Sequence, residues 1–151
     1  MASAPLPRTD TPRHDPLPCA MPDGYGARLF LFAVRRMASA GVDDAHAANA
    51  LLGAFGRSYR RPLVLMRAMM LELSRASNRK IQVAPCCCGR MTADEAMLIA
   101  AAGEALDDGP AAYRRAATLL ASDKALGALT CIQAVAQSYA DLGHPLRLFG
   151  N

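Results

Sequence analysis

Apolar residues recur at helical spacing along most of this chain. In residues 28–40, Phe30, Ala33, Val34 and Met37 fall on one face, with Gly24 or Gly26 before the segment and Gly41 after it. A second helix is expected from a cap at Asp43 or Asp44 to about Phe55, where Gly56 stops it. Pro62 suits the first turn of a third, running to about Ala76. Its Leu63, Val64, Leu65, Met66, Met69, Met70, Leu71 and Leu73 leave almost no polar face, which predicts a helix at the centre of the fold. The three methionines read as core filling.

The pattern changes over residues 78–91. Lys80, Ile81, Gln82 and Val83 alternate as in a short extended segment, and Pro85 keeps Ala84 out of the helical region. Thr92 and Glu95 then have the spacing of a capping box, followed by the apolar run 96–106. Gly109 and Pro110 open a fifth helix to about Ala121, and Asp123 is the expected cap of a sixth, to about Leu142. On that last helix Ala125, Ala128, Leu129, Ile132, Val135, Ala136 and Tyr139 make one stripe. The expected fold is all-α, a compact bundle of about six helices in one domain over 24–151. Residues 1–23, with six prolines and three acidic residues, read as a disordered leader, and His14 falls in it.

Composition reinforces the helical reading. Ala, Leu and Met far outnumber aromatics, which make up 5% of the chain, and Trp is absent; sheets favour aromatic and β-branched residues instead. Uncharged stretches such as 96–103 and 125–140 are too short or too polar to span a bilayer. The first 23 residues lack the apolar core of a signal peptide. A cytoplasmic protein without membrane partners is expected, and its five cysteines, an odd number with three adjacent, should be reduced thiols.

Cys86, Cys87 and Cys88 are the most unusual chemical feature. In an extended chain Cys86 and Cys88 would point one way as a two-thiolate pincer and Cys87 the other. Arg79, Arg90 and the N-terminus of the following helix would favour thiolates, the form that binds metal or attacks. A zinc or iron site needs further ligands, for which Cys131 and His46 are the candidates, with His144 behind them. Cys131 lies about 100° from the centre of its helix's apolar stripe, on the flank. Two other readings stand beside this one: small apolar packing, and a redox or nucleophilic thiol whose base, His46 or Glu95, arrives through folding. No complete catalytic motif is present, so the reading leans away from an enzyme.

Charge is uneven. Residues 24–91 carry eleven Lys and Arg against three Asp and Glu, and residues 92–151 carry four against seven. Arg57, Arg60 and Arg61 precede the third helix, where guanidinium groups and free backbone N–H groups would form an anion site for a phosphate-bearing ligand or an acidic protein surface. The second and third helices follow one another as in a helix-turn-helix. The third lacks a polar face with which to read bases, so nucleic acid is disfavoured.

Three segments carry a resemblance: 43–50 (Asp-Asp-Ala-His-Ala-Ala-Asn-Ala), 59–65 (Tyr-Arg-Arg-Pro-Leu-Val-Leu) and 84–95 (Ala-Pro-Cys-Cys-Cys-Gly-Arg-Met-Thr-Ala-Asp-Glu). Over roughly residues 27–148 the chain resembles a family of short alphaproteobacterial proteins known as a domain of unknown function. The resemblance implies a bacterial cytoplasmic protein and carries no activity with it.

Overall fold

Residues 17–149 are described by a computed structural model; they are mostly helical, with one short antiparallel strand pair. Helix α1 (Tyr25–Ala40) ends at Gly41, whose φ of 98° favours glycine. Helix α2 (Ala45–Phe55) is capped by the Asp44 carboxylate, which accepts from the Ala47 N–H at 2.9 Å. A 3-10 turn (Gly56–Tyr59) leads directly into α3 (Arg60–Ala76). Helix α4 (Ala93–Glu104) starts in a complete capping box formed by Thr92 and Glu95. Helices α5 (Gly109–Leu120) and α6 (Leu126–Asp141) follow, α5 capped by Asp108.

The core lies where α3 packs on α6 and α4 on α5, with α1 against α2, α3 and α4. All seven stripe residues expected on the last helix and its N-cap, from Ala125 to Tyr139, are buried. Phe30 and Phe55 meet the Tyr139 ring edge-on, at centroid distances of 6.2 and 5.2 Å. The Tyr139 hydroxyl donates to the Met66 thioether at 3.1 Å, so the core methionines also accommodate its one buried polar tip.

Four expectations need correction. The third helix is not central: Leu63, Met66, Met69 and Leu73 are buried, whereas Val64 and Leu71 are 59% and 58% exposed. Hydrophobicity alone does not decide which faces of a helix its neighbours cover. The more enclosed helix is α1, where Gly26, Ala27 and Ala33 admit close neighbours and even Arg35 is buried. Asp123 does not cap α6, whose N-cap is Ala125; its backbone carbonyl instead accepts from the Tyr113 hydroxyl.

The third correction concerns the leader. Residues 1–16, including His14, lie outside the described residues, as do 150 and 151, but the leader's last part is built into the fold. Strand β1 (Cys19–Ala20) pairs with β2 (Arg90–Met91), Cys19 opposite Met91 and Ala20 opposite Arg90. Arg90 also donates to the Leu17 and Pro18 carbonyls, and Arg28 to that of Pro22. Backbone pairing and arginine donors hold a segment whose composition lacks the apolar residues to hold itself. The fourth is local: the cysteine triplet is a turn, not an extended pincer. The Cys88 N–H donates to the Pro85 carbonyl at 3.1 Å, closing a β-turn with Cys86 and Cys87 at its corner. Among the described residues, no helix is long and apolar enough to cross a membrane.

Candidate functional site

The first turn of α4 organises the irregular segment 77–92. Thr92 receives the Glu95 N–H at its Oγ1 and donates that hydroxyl to the Gln82 carbonyl at 2.7 Å. Asp94 accepts from both terminal nitrogens of Arg79, and from the Gln82 N–H at 2.7 Å. Glu95 accepts from the Ala84 N–H on Oε1 (2.9 Å) and from the Thr92 N–H on Oε2 (2.8 Å). The extended stretch 80–84, which pairs with no strand among the described residues, is thus held by three side chains at the start of α4, which is how its backbone remains ordered.

Arg35 completes this anchor from α1. Its guanidinium grips both Glu95 oxygens, Nε to Oε1 at 2.8 Å and Nη2 to Oε2 at 3.0 Å, and both residues are 2% exposed. The remaining donors go to backbone: Nη1 to the Cys88 carbonyl at 2.8 Å and Nη2 to the Arg90 carbonyl at 2.7 Å. The Glu95 hydrogen bond raises the Arg35 pKa against the opposing effect of burial, so the guanidinium keeps its charge in the interior. Among the described residues, no buried side-chain nitrogen or oxygen lacks a partner.

Beside this anchor lies an apolar cleft of about 540 Å³ between α1, α3, the extended segment and the start of α4. That volume is within the range of small-molecule sites, roughly 300–1,000 Å³. Its walls include Val34, Met37, Leu73, Ile81, Val83 and Leu98, and its charged lining is Arg79, Lys80, Asp94 and Glu95. The alternation read from residues 80–83 is visible here: Ile81 and Val83 are half-buried against the cleft while Lys80 and Gln82 are exposed. Arg79 is neutralised by Asp94 and Arg35 by Glu95. Lys80 has no carboxylate partner among the described residues, which leaves the cleft with one uncompensated positive charge.

The residues proposed as metal ligands stand on three different parts of the fold: the 85–88 turn, α6 and α2. Cys86 and Cys87 are exposed at the turn and Cys88 is half-buried. The Cys131 thiol is pushed up by burial and then by the Glu72 carboxylate of α3, the neighbour that Gly127, one turn before it, also faces. His46 is exposed in the first turn of α2. Among the described residues, no three His, Cys, Asp or Glu side chains form a group that could hold a metal ion. His144 packs its ring against Tyr25 and Phe55. Glu95, considered as a base for a thiol, is fully engaged by Arg35 and two backbone N–H groups.

The triplet has cationic company of a different kind. Arg36 makes two bonds to Asp44, at 3.0 and 2.7 Å, and its positive charge is near enough to Cys86 for the two to interact electrostatically. The Arg36 guanidinium in turn holds the Asp44 carboxyl down to about 2. Arg57 and Arg60 are exposed, and Arg61 pairs with Asp141 at 2.9 Å. Because Tyr59 is itself helical and the 3-10 turn runs straight into α3, the free N–H groups expected ahead of Pro62 are not presented as an anion-binding helix end.

Sequence reasoning missed Arg35, Asp94 and the cleft. Arg35 looks like any surface arginine in the chain, and only its position among Phe30, Val34 and Met37, one residue from the apolar face, hinted at burial. The capping box was legible, but it announced a helix start and said nothing of what Glu95 binds across the fold.

The chain belongs to a family of unknown function, DUF6628, whose profile matches residues 10–139 and so takes in the anchor, the triplet and the cleft. No curated protein and no solved structure matches it.

Proposed function

We propose that this chain is a non-enzymatic binding protein for an amphipathic anion, a molecule with an apolar body and a carboxylate or phosphate head. The observation that carries the reading is the apolar cleft of about 540 Å³ with Lys80 as its one uncompensated charge among the described residues. An apolar body would be taken out of water by Met37, Leu73, Val83 and Leu98, at roughly 25 cal/mol per Å² of buried surface. Lys80 would meet the head at the mouth, in the half of the chain where basic residues outnumber acidic ones eleven to three. The rigid Arg35–Glu95 and Arg79–Asp94 pairs support the walls and avoid the cost of ordering them on binding.

The test is calorimetric titration with decanoate and, in parallel, neutral decanol. Saturable binding of one decanoate per chain is expected, at least fivefold tighter than decanol. Ala38→Trp, at an exposed lining position, should weaken it tenfold or more by filling the cleft, and Lys80→Glu at least fivefold. Equal affinity for decanol, or indifference to Ala38→Trp, refutes the reading.

A second reading, an acidic partner docking on Arg57 and Arg60, is supported by their exposure without carboxylate partners among the described residues. It predicts binding that weakens steeply with salt and is lost in the Arg57→Ala/Arg60→Ala double variant while decanoate binding is unchanged.

A further inference from the structure

We propose that the turn at residues 85–88 is a thiol oxidation site at which Cys86 reduces hydrogen peroxide and Cys88 closes a disulfide on it. Three features of the turn favour this chemistry. Cys86 stands exposed at the corner, so a peroxide reaches its sulfur without any rearrangement. The second thiol is held close: Cys88 is fixed by its N–H on the Pro85 carbonyl and by Arg35 on its own carbonyl. Two Cα–Cα steps of 3.8 Å folded at a turn bring Cys86 and Cys88 to about 5–6 Å, within the range that a disulfide spans. Gly89 follows with nothing within 4 Å of where a Cβ would stand, so the chain beyond the turn has room to adjust.

Arg36 supplies the third feature. Its guanidinium, anchored by two bonds to Asp44, lies in electrostatic range of Cys86, where it would stabilise the negative charge that passes from sulfur to the departing oxygen. The Cys86 sulfur attacks one peroxide oxygen. The S–O bond forms, the O–O bond breaks, and the hydroxide released takes the Cys86 thiol proton to become water. The Cys88 sulfur then attacks the sulfenic sulfur. The S–S bond forms, the S–O bond breaks, and a second water departs with the Cys88 proton. Two thiols lose two electrons and one peroxide gains them.

The other thiols give the contrast. Cys19 is half-buried in the strand pair, and Cys131 is half-buried with its thiol pushed up by burial, so neither matches Cys86 in access. Trypsin separates the three groups, because cleavage after Lys80 and Arg90 places Cys86, Cys87 and Cys88 alone in the peptide 81–90.

The experiment exposes the full chain to stoichiometric hydrogen peroxide, blocks remaining thiols with N-ethylmaleimide and follows the tryptic peptides by mass. Peptide 81–90 is expected to lose two mass units, reversibly with dithiothreitol, at least tenfold faster than Cys19 or Cys131 is oxidised. Cys88→Ser should abolish the disulfide but leave a sulfenic acid on Cys86 that dimedone traps; Cys87→Ser should retain the disulfide. Cys86→Ser should slow peroxide consumption at this peptide tenfold or more. The proposal is overturned by a disulfide that requires Cys87, by oxidation of Cys131 at a comparable rate, by disulfides only between chains, or by a Cys86→Ser variant within twofold of the parent rate.

Discussion

Replacing Glu95 by Gln tests the anchor with almost no change in volume. In the parent, the two Glu95 oxygens receive Arg35 twice, the Ala84 N–H and the Thr92 N–H, so all four partners are donors. Gln offers one oxygen and one NH2, which must face at least one of those donors, and it leaves the Arg35 charge buried without a counter-ion. Removing one partner of a buried pair costs about 3–5 kcal/mol. That is a large share of a typical domain stability of about 5–15 kcal/mol. For a chain of this length the midpoint of thermal unfolding should fall by about 10 °C or more. Urea unfolding followed by far-UV circular dichroism measures it directly. The double variant Arg35→Met/Glu95→Leu should regain part of the loss, since an apolar pair avoids the stranded charge. It should not regain all of it, because the Cys88 and Arg90 carbonyls lose their donor. A Glu95→Gln variant within about 0.5 kcal/mol of the parent would refute the reasoning; that is the range of surface substitutions away from such features.

Two further predictions concern other parts of the fold. Asp44, held down to about 2 first by the Arg36 hydrogen bond and then by the Ala47 N–H, has a folded pKa below its unfolded value near 3.8. Its contribution to stability is therefore complete above about pH 4 and is lost as pH falls toward 2; Asp44→Asn should remove that slope from an acid unfolding series, and the Asp44 carboxyl carbon should titrate near pH 2 by NMR. Alanine scanning of two helical glycines should separate backbone from side-chain crowding. A Cβ at Gly26 would stand 2.4 Å from the His144 carbonyl oxygen and one at Gly127 2.5 Å from the Glu72 carboxylate. Gly26→Ala should lose about 1–3 kcal/mol despite its better helix propensity, whereas Gly127→Ala should change stability by less than about 1 kcal/mol because the Glu72 side chain can swing aside; chemical denaturation of both variants decides it.

Helices, the caps at Asp44 and Thr92 and the buried stripe of α6 were legible in the sequence because each depends on residues within one or two turns. Asp44 and Thr92 cap the helices expected of them, and Ile81 and Val83 alternate with Lys80 and Gln82 as their polarity indicated. The mostly helical class followed from Ala, Leu and Met in excess for the same reason: propensity is a local property. Placement is not local. Whether Leu63 or Val64 faces inward depends on where α6 lies. Whether Arg35 is a surface charge or the partner of Glu95, sixty residues away, depends on α1 and α4 meeting. The cysteine triplet shows both sides of the divide. Its composition marked it as chemically unusual, but its surroundings came from long-range partners: the Arg35 guanidinium on the Cys88 carbonyl and the Arg36 charge in electrostatic range of Cys86. Neither arginine is within forty residues of the triplet in the chain, and no periodicity connects groups that far apart. Only the packing of α1 against the start of α4 brings them to one place.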